Sequence, residues 1–244
     1  MAFTALKSEQ DAATSPPTIF VRLSLDQFAA VFDRGFAPQF INSLSASVGS
    51  TILVMLLAIP AAYALSVRPI PKWRDALFFF ISTRFLPVAA GAIPLYLLLK
   101  QLGLLDNITA LMVLYIGINL PLAIWRMRSF FSEVPGEIIG AAQVDGARFR
   151  TELVRVVLPI VAPGIAAVAL ICFIFAWNEY FLANLLTAFS ARTTPPYLGS
   201  LVDGRGRFLA ILSAASTLAV LPVVIAGWIA QKRLVRGLAM GAIK

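Results

Sequence analysis

Polar residues that interrupt long apolar stretches are the first candidates for chemistry in this 244-residue chain. They are Arg84, Asn119 and the consecutive residues Trp177, Asn178, Glu179 and Tyr180. An ionisable group inside a membrane costs about 2.5–3.5 kcal/mol even on a lenient scale, so such groups usually have a function. Here they could hydrogen-bond and stack against a hydroxylated solute on a polar path through the membrane. An equally open interpretation is structural, because Arg84 and Glu179 could pair with each other, or Arg84 could extend to the membrane interface.

The composition excludes several kinds of site. The chain has no His and one Cys, Cys172, which excludes an internal disulfide, a zinc site and Cys/His or Ser-His-Asp catalysis. No Lys followed by Ser or Thr lies in a Gly-rich loop, so a nucleotide-binding P-loop is absent from the sequence. We therefore expect no cofactor bound by this chain. We also expect no nucleic acid partner, because membrane topology accounts for the net charge of +8.

Long apolar blocks predict a membrane protein. Hydrophobic residues make up 59% of the chain and charged residues 13%, with a mean hydropathy of +0.86. A helix that crosses the hydrocarbon core needs about 20 mostly apolar residues. We predict an all-α, polytopic membrane helical bundle over residues 36–244, preceded by an external segment at residues 1–35. The predicted spans are 42–67, 76–99, 109–125, 164–187 and 208–230.

Basic residues predict the orientation of the bundle, because Lys and Arg are enriched in cytoplasmic connections. They are concentrated after the first span, after the third span and in the C-terminal tail: Arg68, Lys72, Arg74, Arg126, Arg128, Arg148, Arg150, Arg155, Lys232, Arg233, Arg236 and Lys244. We therefore expect the C-terminus and the long loop 133–163 to be cytoplasmic. Five spans then place the N-terminus outside, although residues 1–35 contain no signal sequence or anchor.

The loop 133–163 has the pattern of two short helices. Pro135 favours a helix start, and Asp145-Gly146 favours a helix stop, since Gly accepts the left-handed conformation. A second helix is predicted through Phe149 and Val157, with Arg148, Arg150, Glu152 and Arg155 around it. Pro159 and Pro163 are expected to break or bend the chain before the fourth span. Such a loop could dock on another protein, or it could pack back on its own bundle.

The same loop resembles a known family. Ala141-Ala142-Gln143-Val144-Asp145-Gly146, followed by Leu158-Pro159, is similar to the EAA loop of permease subunits in binding-protein-dependent ABC importers. The resemblance is to the maltose-type carbohydrate permeases and extends from about residue 20 to the C-terminus. Further matches are Asn42-Ser43-Leu44, Ala61-Ala62-Tyr63-Ala64, Ile93-Pro94-Leu95-Tyr96, Leu102-Gly103-Leu104-Leu105-Asp106, Leu120-Pro121-Leu122-Ala123-Ile124-Trp125 and Phe175-Ala176-Trp177-Asn178-Glu179.

The resemblance implies that the loop carries a coupling helix, which docks in a cleft of a cytoplasmic ATPase subunit. The implied docking residues are Ala141, Ala142, Asp145 and Gly146, with Leu158 and Pro159 supporting them from behind. Gly140 stands where the family has a leading Glu, and Glu137, one helical turn earlier, could partly replace it. The implied partners are two ABC ATPase subunits that use ATP, a second, non-identical permease subunit and an external solute-binding protein.

The resemblance also implies a function. The chain would be a non-enzymatic, multi-pass subunit of a bacterial plasma membrane importer for a carbohydrate or polyol. Permeases of this type usually begin with a further helix, so we expect one to precede Met1. The alternative is an ATPase-independent secondary transporter or channel that uses Arg84 and Glu179 as charge sites. An intramembrane enzyme is disfavoured, because the sequence offers no nucleophile–base pair.

Overall fold

The computed structural model describes residues 1–16, 20–67, 70–85, 87–202 and 208–241. In these ranges the secondary structure is helical, without a strand. The helices long and apolar enough to cross a membrane are Phe36–Ser66, Ile108–Ser132, Phe149–Trp177 and Leu209–Gln231. A fifth crossing is present if the bent pair Trp73–Phe85 and Val88–Gln101 forms one span. The predicted all-α polytopic membrane fold is therefore confirmed. Two basic residues used to predict orientation, Arg68 and Lys244, lie outside the described residues.

The helices described are numbered here in chain order. They are α1 (Glu9–Ala12), α2 (Asp26–Asp33), α3 (Phe36–Ser66), α4 (Trp73–Ser82), α5 (Ala92–Gln101), α6 (Ile108–Ser132), α7 (Gly136–Val144), α8 (Phe149–Thr151), α9 (Leu158–Trp177), α10 (Phe181–Leu186), α11 (Thr194–Ser200) and α12 (Leu209–Gly241). The remaining helical segments are the 3₁₀ turns Thr4–Leu6, Thr83–Phe85 and Val88–Gly91 and the π-helical turn Glu152–Val157.

The fourth membrane helix differs from its predicted bounds of 164–187. It runs from Phe149 through the π-helical turn and α9 to Trp177. Pro159 and Pro163 were expected to break or bend the chain, and the break is wrong, because both prolines lie inside α9. The physical reason lies in the π-helical turn just before Pro159, since π adjustments can satisfy backbone groups that a membrane proline leaves without a partner.

One compact unit consists of Met1–Ala46, Ala92–Leu111 and Trp177–Ile225. Its core contains the rings of Phe36 and Tyr197, whose centroids lie 5.5 Å apart. The short helix α2 contributes the fully buried Val31 to this core. Ala5 is buried in the same cluster, so the first residues of the chain are part of the packed unit.

Two helices of this unit have their first N–H groups capped by side chains. The Oδ1 atom of Asn107 accepts hydrogen bonds from the N–H groups of Thr109 and Ala110 at the start of α6. The carboxylate of Glu9 accepts from the first turn of α12, at Ala210 (2.9 Å) and Ile211 (2.8 Å). Helix N-termini have N–H groups without helical partners, and the helix dipole favours an anion there.

The other compact unit consists of Ser47–Gly91, Met112–Ala176 and the chain from Ala226. Its core joins α3, α6 and the Phe149–Trp177 helix through Tyr63, Met127 and Val157, all of them buried. A Cβ atom on Gly164 would lie 2.3 Å from Cγ of Phe130, so the close approach of α9 to α6 requires glycine at this position.

Candidate functional site

Local backbone chemistry sets both ends of α7. Pro135 precedes the helix with φ −60°, and Gly146 follows it with φ +77°, a left-handed conformation that favours glycine. The N–H of Gly146 donates to the carbonyl of Gln143 (3.0 Å), and the N–H of Ala147 donates to the carbonyl of Ala142 (2.9 Å). This pair of bonds is the Schellman arrangement that satisfies the last carbonyls of a helix. The predicted helix and its stop are confirmed.

One face of α7 is open to solvent. Ala142 is buried, while the residues spaced along the opposite side are exposed: Glu137, Gly140, Ala141, Val144 and Asp145. Val144 is 89% exposed, although its side chain is apolar and α7 is far too short to span a membrane. Small residues with an apolar tip and flanking carboxylates form a surface that a groove in another protein could bind.

A buried carboxylate joins the base of this loop to the bundle. Glu152 was predicted among the residues around the second helix, but it is 0% exposed. Its Oε1 accepts a hydrogen bond from the hydroxyl of Tyr63 in α3, and its Oε2 accepts from Nε2 of Gln143 in α7 (3.4 Å). The Tyr63 ring lies edge-on to Phe149, with centroids 5.2 Å apart. The carboxylate therefore links α7 and α3 to the start of the π-helical turn.

Leu158 and Pro159 follow the π-helical turn directly. Both line a mostly apolar cavity of about 660 Å³, together with small residues of α9 such as Ala162 and Ala166. They lie at the point where the loop becomes a membrane helix.

Arg84 lies in the 3₁₀ turn Thr83–Phe85, in the unit that contains α7. Its Nη1 donates to the carbonyl of Ile118 (2.8 Å), and its guanidinium carbon lies 5.7 Å from the ring centroid of Phe175. Ile118 precedes Pro121, whose missing N–H loosens this part of α6. Arg84 also lines a cavity of about 220 Å³ with Pro87, Gly91 and Gly117. The guanidinium thus stabilises a proline-weakened helix at the edge of a small cavity.

Asn119 belongs to the same unit and is 3% exposed. Its Nδ2 donates to the carbonyl of Tyr115 one turn back (3.0 Å). Its Oδ1 is buried and accepts no hydrogen bond from any described residue. A buried acceptor without a partner is uncommon, and this one lies in α6 two residues before Pro121.

The other residues of the predicted path, Trp177 to Tyr180, belong to the unit that contains Asn107. Both carboxylate oxygens of Glu179 accept backbone N–H groups at the start of α10, from Leu182 (2.8 Å) and Ala183 (3.0 Å). Trp177 is buried, and its indole N–H donates to the carbonyl of Ala219 (3.1 Å). Asn178 and Tyr180 are exposed. Glu179 and Trp177 therefore serve the backbone of their own unit.

Asp106 organises a loop that sequence reasoning did not single out. Its carboxylate accepts N–H groups from Ala188 (2.9 Å), Ser190 (2.9 Å) and Ala191 (3.0 Å), and also the hydroxyl of Ser190. Partial burial raises the pKa of Asp106, but these donors outweigh it and hold that pKa well below its usual value of 3.8. Asn42 holds the same loop by donating to the carbonyl of Ser190 (2.8 Å). The backbone of Asp106 is left-handed, with φ +54°, and the sequence pattern did not predict this conformation.

Among the described residues, no three His, Cys, Asp or Glu side chains come close enough to bind a metal ion. Long apolar helices and an exposed helix–turn–helix loop define a polytopic membrane protein.

Comparison with known proteins specifies that class. The sequence profile of the binding-protein-dependent transport system inner membrane component family matches residues 54–239. A probable ABC transporter permease protein of Sinorhizobium fredii, y4oR, is 33% identical over 245 residues, covering 100% of this chain and 88% of the relative. The trehalose transport system permease protein SugB of Mycobacterium tuberculosis is 31% identical, and the match covers 96% of this chain and 86% of SugB. A bacterial ABC transporter that imports the acidic polysaccharide alginate has a chain of the same fold, with a TM-score of 0.76, 23% identity and coverage of 95% and 87%.

The chain therefore belongs to the family of binding-protein-dependent transport system inner membrane components, as a permease subunit of an ABC importer. The family resemblance inferred from the EAA-like loop is confirmed, and the reading as an ATPase-independent transporter is not favoured. Arg84 and Glu179, the charges on which that alternative depended, both bond to backbone groups.

Proposed function

We propose that this chain forms one half of the translocation path of an ATP-driven importer for a carbohydrate or polyol. The observation that carries the proposal is α7, a capped helix whose exposed face bears Ala141, Val144 and Asp145 outside the membrane helices. In this proposal α7 is the coupling helix, and movement of the ATPase subunits changes the access of the path through it.

The docking face of α7 offers small side chains, one exposed apolar group and two carboxylates. Ala141 and Gly140 let a partner backbone come close, and Val144 can fill an apolar pocket in the cleft. Glu137 lies in the first turn of α7, where a carboxylate is favoured by the helix dipole. Glu137 would partly replace the Glu that the family has where this chain has Gly140, and it would face a basic residue of the ATPase.

The substrate class is inferred from relatives. SugB is named a trehalose permease, and the importer with the same fold takes alginate, so two similar proteins move sugars that differ in charge. Within this chain, the Oδ1 of Asn119 could accept a hydrogen bond from a hydroxyl group of the solute, and Arg84, beside its small cavity, could donate one to a hydroxyl oxygen. Asn178 and Tyr180, in the other unit, are also proposed as residues of the path, on the sequence alone.

The proposed partners are two ABC ATPase subunits, which bind and hydrolyse the ATP, a second and non-identical permease, and an external solute-binding protein. The C-terminus and the α7 loop would lie in the cytoplasm of a bacterium, because basic residues are concentrated there. The chain itself would bind no nucleotide and catalyse no reaction.

Uptake of labelled sugars and polyols tests this function. Cells that lack this subunit should lose ATP-dependent uptake of one solute class, and a plasmid copy should restore it. Val144→Asp is expected to abolish restoration, because a carboxylate cannot fill an apolar pocket, while the protein stays in the membrane. Val202→Asp is the matched control, because Val202 is also an exposed valine but lies outside α7. This variant should restore uptake. Full uptake with Val144→Asp would contradict the docking assignment.

A further inference from the structure

Glu152 is the only acidic side chain that is fully buried among the described residues. Burying a carboxylate is costly unless its oxygens are hydrogen-bonded, so its position implies a specific use. The residues proposed for docking do not account for it, because its carboxylate bonds to Tyr63 and Gln143 and to none of them.

The two oxygens of Glu152 accept from different elements. One receives the hydroxyl of Tyr63, three residues before α3 ends at Ser66, and the other receives the amide of Gln143 in the last turn of α7. Hydrogen bonds to a charged acceptor are about twice as strong as neutral ones. The coupling helix and the first membrane helix are therefore attached to the same side chain.

The backbone at Glu152 is also unusual. The π-helical turn begins at this residue and continues into α9, so the carboxylate sits at the head of the fourth membrane helix. π-helical turns are rare, and they are frequent at functional sites. The rings of Phe131 and Phe149 contact Tyr63 edge-on at 6.2 and 5.2 Å and hold its phenol in place.

We propose that Glu152 is a positioning residue that couples α7 to two membrane helices at once. Displacement of α7 by the ATPase pulls on Gln143 and, through the shared carboxylate, on Tyr63 in α3 and on the start of α9. The inference rests on the proposed docking of α7. It adds a joint, meaning the Glu152 carboxylate with its hydrogen bonds from Tyr63 and Gln143, through which docking acts on the membrane helices. It predicts that loss of the joint leaves docking intact and lowers the number of solute molecules moved per ATP.

The test uses the complete importer in proteoliposomes, with its ATPase subunits, second permease and binding protein. Three quantities are measured for each variant: co-purification with the ATPase, thermal stability, and uptake per ATP hydrolysed. Tyr63→Phe keeps the ring and removes one donor to Glu152. Tyr63→Phe combined with Glu152→Met removes the hydroxyl and the carboxylate together at nearly constant volume. Tyr96→Phe in α5 is the matched control.

Both changes are expected to preserve co-purification and to lower uptake per ATP at least about tenfold, which corresponds to about 1.4 kcal/mol. Tyr96→Phe is expected to keep the wild-type ratio of solute taken up to ATP hydrolysed. A purely structural role makes the opposite prediction, because the double variant would regain the wild-type ratio as it regains stability. That recovery, or an unchanged ratio in Tyr63→Phe, overturns the inference.

A variant at an exposed position keeps the test decisive if the buried changes prevent folding. Gln143→Ala removes the other donor, and its side chain is solvent-exposed, so assembly is expected to be normal. A ratio below half of wild type supports the joint, and an unchanged ratio overturns it. Failure of the wild-type permease to co-purify with an ATPase would instead refute the proposed function itself.

Discussion

Replacing Gly146 with Val is expected to uncouple transport, because Gly146 ends α7 in a left-handed conformation. No atom lies within 4 Å of the position that a new Cβ would take, so the cost is that of the backbone alone. A left-handed conformation costs an L-residue with a Cβ about 1–2 kcal/mol. A β-branched side chain such as Val belongs at the upper end of that range. Such an energy lowers the equilibrium constant between the capped helix and its uncapped forms about 5–30-fold.

Titration of ATPase subunits onto the reconstituted permease pair measures the effect. The apparent dissociation constant should rise by up to that factor, since only the capped form of α7 is competent to dock. Gly146→Asn is the matched control, because Asn has a comparable volume but tolerates the left-handed region. It should bind within about threefold of wild type. Wild-type affinity in the Val variant would refute the reasoning, and so would an equal loss in the Asn variant.

The remaining predictions concern the stability of the two units. Asp106→Asn should lower the free energy of unfolding by about 1.5–3 kcal/mol, the range for hydrogen bonds to a charged group. Because the folded pKa of Asp106 is lowered, this contribution is fully present above pH 3.8 and is lost as the pH falls below it. The free energies of unfolding of the wild type and of Asp106→Asn, measured by denaturation at each pH, should therefore become equal only in strong acid. Gly164→Ala should cost about 1–3 kcal/mol through a clash with Phe130, whereas Gly227→Ala, where a Cβ meets no atom within 4 Å, should be tolerated. Equal thermal midpoints for these two variants would contradict the packing argument. Glu9→Ala should cost about 0.5–2 kcal/mol by uncapping α12, and hydrogen exchange in the first turn of α12 should rise; unchanged exchange would exclude the cap.

Features governed by neighbouring residues could be predicted from the sequence. The bounds of α7 follow from Pro135 and Gly146, whose effects extend over a few residues only. Four of the five predicted membrane helices follow from apolar block length, which needs no tertiary information. The fifth depends on whether Trp73–Phe85 and Val88–Gln101 form one span. The resemblance to a permease family likewise depended on local motifs around Ala141-Ala142 and Asp145-Gly146.

Features that depend on distant partners could not be predicted. Glu179 looked like a charge within a span, but α9 ends at Trp177 and the carboxylate caps the next helix. Glu152 looked like a surface residue, because the pattern assumed α-helical spacing where the chain adopts a π-helical turn. Asp106 holds residues more than 80 positions away, and no sequence period reveals such a contact. Inside a membrane no water is available, so polar side chains form hydrogen bonds with backbone groups that have no helical partner. Hydropathy alone does not indicate which backbone groups these are.

The π-helical turn at Glu152–Val157 also affects how this chain should be aligned with others. It accommodates about one residue more per turn than an α-helix, and each α-helical residue turns the chain by about 100°. A helical wheel drawn straight through Phe149–Trp177 therefore assigns the residues before the turn to the wrong side. A relative with a one-residue gap here would keep the helix but direct its counterpart of Glu152 elsewhere. Indels at this turn, rather than substitutions, would then separate permeases that share the joint from those that do not.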